Sequence, residues 1–243
     1  MKDTKKGLKF MTATLFLITI GMLGFFLLGF AYSVQKSEEP LGGMLITFAG
    51  AGLLLTFLTF ALMIKGVIHM KKGQDDMTEE HGESVSKGSG FMIAGIIMFI
   101  IFTIFLLLYG SSPVVGQNTP QETIAEIKAI LFVLQISSIL STVFFSIGAI
   151  YLIIDIVSRR WTKLLWFAGG ANILSVMGGF GSFLSIYLGD EFVLIAERLH
   201  TSHFLTQGLS FFGYALFAAI YTLVYFDVQN ARDAKKNISK FKP

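Results

Sequence analysis

The sequence predicts an all-α fold: a polytopic integral membrane protein built as a six-transmembrane-helix bundle with both termini on the cytoplasmic side. Three observations predict it. First, six apolar runs contain no Lys, Arg, Asp, Glu or His: Phe10–Tyr32, Leu41–Ile64, Phe91–Tyr109, Ala129–Ile154, Leu164–Leu188 and Phe204–Phe226. A helix needs ~20 apolar residues to cross a ~30 Å bilayer core. Second, hydrophobic residues make up 53% of the chain and charged residues 14%, where a soluble domain carries about 25% charged. Third, the basic residues sort by side. Four segments hold sixteen of the nineteen: Lys2, Lys5, Lys6 and Lys9; Lys65, Lys71, Lys72 and Lys87; Arg159, Arg160 and Lys163; Arg232, Lys235, Lys236, Lys240 and Lys242. The alternate segments hold only Lys36, Lys128 and Arg198. Basic flanks stay cytoplasmic, and six spans return the chain to its starting side.

Backbone polar groups in lipid must bond within their own segment, so spans of this kind are helices. The short alternating strands of a membrane barrel are absent. Residues 1–243 form a single domain, with no room for a separate soluble one. The first run lacks a small-residue cleavage site and reads as a retained helix. The net charge of +3 follows from topology and calls for no nucleic acid. The mildly acidic outer face follows from the same rule.

The connections differ in character. A short outer loop, 33–40, makes helices 1 and 2 an antiparallel hairpin. The main cytoplasmic loop spans 69–90 and carries the run Gln74 to His81, which reads as solvated chain. Outside, Thr119, Pro120 and Glu122 predict a helix start, with Thr119 as cap and Pro120 at the first helical position. Helix 4 then runs to about Ser158. The connection 158–163 is short, which makes helices 4 and 5 a tight hairpin, with Trp161 and Trp166 at the cytoplasmic interface. The last outer connection, 189–200, predicts a short amphipathic helix on the membrane surface.

Polar residues inside lipid carry the functional information. Helices 1 to 3 contain mainly threonines, which can bond their own backbone. Helix 4 carries Gln135, Ser138, Thr142, Ser146 and Ala149 at helical spacing. Helix 5 carries Asn172, Ser175, Gly179 and Ser182, and helix 6 carries Gln207, Ser210, Tyr214, Ala218, Tyr221 and Tyr225. A turn centred near 161 sets Ser146 opposite Ser175 and Thr142 opposite Gly179. This seam reads first as packing, since small residues and interhelical hydrogen bonds hold membrane helices together. The alternative is a hydrated path or an uncharged-ligand pocket. Gln135, Asn172 and Gln207 favour that alternative, because buried amides need partners. The candidate ligand residues are therefore Gln135, Ser138, Thr142, Ser146, Asn172, Ser175, Gln207 and Tyr214. Glycines suggest a second seam, Gly21 and Gly24 in helix 1 matching Gly178 and Gly181 in helix 5.

Several chemistries lack their residues. There is no cysteine, hence no disulfide or thiolate site. His69, His81, His200 and His203 lie in or beside loops, which disfavours a buried haem. His200 and His203, with Glu197, are a weak metal pattern, so no metal and no cofactor is expected. No HExxH, GxSxG, nucleotide-binding loop or selectivity-filter motif occurs. The expectation is a non-enzymatic, multi-pass protein of the cell membrane. It would be a structural or accessory subunit that binds membrane partners, a second copy or lipids through its helix faces. The alternative is a small transporter or solute-binding component with an uncharged polar site among helices 4, 5 and 6.

Overall fold

The computed structural model describes residues 2–34, 55–73, 87–110, 120–154, 156–157, 159–188 and 195–240. Among them there is no strand, and six helices follow in order: α1 Lys2–Val34, α2 over 55–73, α3 Lys87–Gly110, α4 Gln121–Ile153, α5 Arg159–Leu188 and α6 Ile195–Lys240. Four contain stretches long and apolar enough to cross a membrane: Asp3–Gly24, Gly88–Tyr109, Gln121–Ile153 and Gly208–Asn230. Part of the second apolar run, 41–54, lies outside the described residues, as do 74–86 of the expected loop 69–90 and its His81.

The helices overrun the boundaries that charge alone suggests. α1 begins at Lys2, ahead of Phe10, and α2 continues to residue 73 with His69 inside it. The expected loop is shorter at both ends, since α3 starts at Lys87. α6 is one helix of 46 residues, not a surface helix followed by a span. The cause is common to all of these. Charged side chains mark where lipid ends, but helices end where backbone capping or breakers intervene. At α4, Pro120 stands at the N-cap with φ −57° and ψ 143° and no side-chain cap bond, which corrects its expected place inside the helix. Its carbonyl accepts from Ile124 N–H at 3.1 Å. Thr119 lies outside the described residues.

The largest correction concerns the α4–α5 turn. α4 ends at Ile153 and α5 starts at Arg159, so the reversal is centred near 156, not 161. Ile156 N–H closes it on the Ile153 carbonyl at 3.0 Å.

α3 lies along α4, α4 against α5, α5 against α6, and α6 against α1. α2 packs on α1 through glycines. A Cβ on Gly7 would stand 2.7 Å from Met70 Cγ, and one on Gly66 would stand 2.8 Å from Met11 Sδ. Each glycine receives the methionine of the other helix. The α3–α4 hairpin repeats the device: Gly88 meets the Leu152 backbone nitrogen at 2.6 Å, and Gly148 meets Met92 Cγ at 2.7 Å. In α5–α6, Gly213 receives Asn172, and Gly169 receives Ile150 Cδ1 of α4 at 2.9 Å and Phe217 of α6 at 3.8 Å. Missing Cβ atoms let membrane helices approach closely where lipid offers no hydrophobic drive. Among the described residues, a Cβ on Gly21 would stand 3.3 Å from Leu55 Cδ2, and no atom comes within 4 Å of a Cβ on Gly24. Gly181 and the side of α5 beyond Gly178 fall outside the described side chains.

The clasps place the core in the half of the bundle near the lysine-bearing helix ends. Leu8, Met11, Met70, Ile150, Ile153, Leu165, Phe217, Ile220 and Tyr221 are buried there. Toward the other end, Ile20, Leu27, Leu107, Leu174 and Met177 are exposed. Gly88→Ala should therefore loosen the α3–α4 hairpin by about 1–3 kcal/mol, because backbone cannot yield to the new methyl. Gly24→Ala, in open space, should be neutral or gain up to ~1 kcal/mol of helix propensity. Thermal unfolding in detergent of the two variants measures the contrast.

Candidate functional site

The residues expected to form a polar site on α4, α5 and α6 divide into three groups. Ser146, Asn172, Ser175 and Tyr214 are buried. Gln135, Ser138 and Thr142 are half-buried. Gln207 lies in α6 with its side chain outside the described residues, as do Gly179 and Ser182. The turn position explains why the two stripes do not meet as the sequence suggests. Ser146 Cβ lies 3.7 Å from a Cβ built on Gly169, not opposite Ser175, which is six residues further along α5. That offset is about 9 Å along a helix.

The α4 face that is buried in hydroxyls is the neighbouring one. Ser137 and Ser141 are buried. Ser141 Oγ donates to the Gly95 carbonyl of α3 at 3.2 Å, and Ser137 Oγ donates to the Leu134 carbonyl at 3.0 Å. Sequence reasoning passed over this pair, although the four-residue spacing of two serines was visible. Most membrane threonines satisfy themselves as expected: Thr14 on Phe10 at 2.9 Å, Thr19 on Leu15 at 2.7 Å, Thr103 on Phe99 at 2.9 Å. Thr4 and Thr12 are exceptions, with buried hydroxyls lacking a partner.

Tyr221, not Tyr214, is the tyrosine that ties helices together. It is fully buried, and its hydroxyl donates to the Ala149 carbonyl of α4 at 2.7 Å. This bond links α6 to α4 one residue from the Gly148–Met92 contact. Its signal in the sequence was the Tyr214–Ala218–Tyr221–Tyr225 spacing, in which the deeper Tyr214 drew the attention.

Asn172 is the anomaly. Its side chain is 0% exposed, and neither Oδ1 nor Nδ2 has a hydrogen-bond partner. Oδ1 lies over the Cα of Gly213, close to where a side chain would begin, and the Ala168 carbonyl is 2.8 Å from that same position. A Cα–H contact is the amide's compensation, and such contacts are weak. Ser146, 1% exposed, also has an unpaired hydroxyl.

A cavity of about 20 Å³ lies at the centre of the bundle, lined by Met11, Thr14, Leu15, Met63, Met92 and Tyr214 among others. It is large enough for a single water, but a water needs two to four polar partners, and the walls are apolar atoms. Thr14 uses its hydroxyl on its own helix. The cavity is therefore dry. No group of three His, Asp or Glu able to hold a metal ion occurs among the described residues. His200 and His203 lie within α6 with side chains outside them.

No family model matches the chain, and neither the curated proteins nor the solved structures provide a match.

Removing the Tyr221 hydroxyl isolates a long-range polar tie between α4 and α6. Tyr221→Phe should cost about 0.5–1.5 kcal/mol, with Tyr225→Phe as the near-neutral comparison. Chemical unfolding of both variants in the same detergent reads the difference.

Proposed function

We propose that this chain is a structural or accessory protein of the cell membrane. It would span six times with both termini cytoplasmic and hold membrane partners, a second copy of itself or lipids on its helix faces. The close helix contacts carry this reading. The helices meet through glycine contacts and apolar side chains, and the cavity between α1, α2, α3, α4 and α6 is apolar and no larger than a water. The chain then works through its outside. α3 offers Ile93, Ile97, Ile100, Ile104 and Leu107 as an exposed apolar stripe, all between 45% and 66% accessible. Purification in mild detergent should yield the chain with a second copy or a distinct membrane protein, as read by cross-linking and mass. A monomer carrying no protein and no specific lipid removes the proposal.

One observation favours a second reading, a small solute-binding or transport component. Asn172 and Ser146 are polar groups without partners in the membrane half of the bundle. Leaving such an amide unpaired costs about 1–3 kcal/mol, which a role in binding an uncharged solute offsets. The candidate residues remain Gln135, Ser138, Thr142, Ser146, Asn172, Ser175, Gln207 and Tyr214. Asn172→Leu separates the readings. Under the structural reading it raises stability by about 1–3 kcal/mol and leaves association unchanged. Under the transport reading it abolishes solute uptake while the fold survives.

A further inference from the structure

We propose that the lysine-bearing end of the α1–α2 hairpin binds the headgroup of an anionic phospholipid. The inference rests on the membrane reading above and names one ligand class for the helix faces. Glycine contacts bring the two helix ends together: Gly7 lies on Met70, and Gly73 lies on Thr4. That pairing gathers Lys5, Lys6 and Lys9 of α1 with Lys65, Lys71 and Lys72 of α2. Asp3 is the one carboxylate in the sequence of either helix. It is already engaged, since His69 Nδ1 lies 3.0 Å from Asp3 Oδ1 and Phe10 stacks on the imidazole at 5.8 Å.

This His69–Asp3 pair fixes which lysines share a flank. On α1, Lys6 stands between Asp3 and Phe10 at helical spacing. On α2, Lys65 and Lys72 stand one turn to either side of His69. All three are exposed. None of the three has an ion-pair partner among the described residues. Lys5 differs, lying over the Tyr225 ring of α6 at 5.9 Å. The uncompensated charge therefore concentrates on the flank of Lys6, Lys65 and Lys72.

The same α2 face continues as apolar surface. Ile68 is 50% exposed, Ile64 37% and Phe57 67%, in line with Lys65 and Lys72 at helical spacing. A phosphate on the lysines and an acyl chain along Ile68, Ile64 and Phe57 would be served by one continuous strip. Lys65 lies about 10 Å deeper than Lys72 along the axis, and its long side chain can reach back to the headgroup plane. Free phosphate would use the lysines but gain nothing from the apolar strip. The α6 end is less suited, because Asp227 and Asp233 are interleaved with its basic residues. Asp75, Asp76, Glu79, Glu80 and Glu83 follow α2 in the sequence, so selectivity in the intact chain is the decisive measurement.

Native mass spectrometry of the full chain, from neutral detergent carrying equal phosphatidylglycerol and phosphatidylcholine, tests the site. The intact chain should retain phosphatidylglycerol at least about tenfold over phosphatidylcholine, each membrane-proximal lysine contributing roughly a factor of five. K6Q/K65Q/K72Q should lose that preference. K6R/K65R/K72R, which keeps the charge and controls for folding, should hold it, as should K235Q/K236Q on α6. Equal retention of the two lipids by the intact chain overturns the proposal, and is the result expected if the acidic run covers the lysines. Retained preference in the glutamine variant overturns it as well, as does displacement of phosphatidylglycerol by inorganic phosphate. Equal retention of the two lipids by the intact chain, with its protein association present, sinks this site while leaving the structural reading standing.

Discussion

Each of the three hairpins is closed by an exchange in which a glycine on one helix receives a large side chain from the other, and the rest of the bundle depends on that contact. In lipid there is little to gain from hiding one apolar surface on another, since the tails are as apolar as leucine. Helices must associate by filling space well, and dispersion falls off steeply with any gap. Gly66 under Met11, Gly148 under Met92 and Gly213 under Asn172 remove the Cβ that would hold the backbones apart. Methionine suits the position because its unbranched chain can follow an irregular groove.

The position of the clasps accounts for the asymmetry along the membrane axis. They lie near the lysine-bearing ends, and the buried core lies with them. The polar ties follow the same logic: Tyr221 reaches Ala149 beside Gly148, and Ser141 reaches Gly95. A side-chain donor can meet a backbone carbonyl of another helix only where the two backbones are close. Toward the opposite end of α3, Leu106, Leu107, Leu108 and Tyr109 are all exposed through a full turn.

Much of this was legible in the residues and some was not, for identifiable reasons. The uncharged runs gave helices, because backbone in lipid has no other solution. The α1–α2 and α4–α5 hairpins followed from short connections. Helix ends were misplaced because charge reports the headgroup boundary, and helices such as α2 and α6 pass through it. That error propagated. Moving the α4–α5 turn from 161 to near 156 slides Ser146 from Ser175 to Gly169 and separates two stripes that looked matched. The glycine contacts were illegible for a different reason. Gly21 and Gly24 form the visible repeat, but Gly7, Gly66, Gly88 and Gly148 each work singly with a partner more than fifty residues away. Only tertiary pairing reveals them.

Asn172 is a polar side chain seated on a glycine. The methionines on Gly7, Gly66 and Gly148 carry no strong hydrogen-bonding group, whereas Thr4 on Gly73 in the α1–α2 pair likewise has an unpaired hydroxyl. In α5–α6 the equivalent seat holds an amide with nothing to bond. An unpaired amide at 0% exposure weakens the α5–α6 clasp by about the cost of one unsatisfied polar group. If the bundle has a place where it opens, energetics put it at the seam between α5 and α6. The residues that would then meet water or a ligand are Asn172, Ser146 and their neighbours on α6. A clasped bundle with a soft joint fits a scaffold that adjusts to a partner as readily as it fits a carrier. What separates the two is whether the amide gains its missing partner from outside the chain.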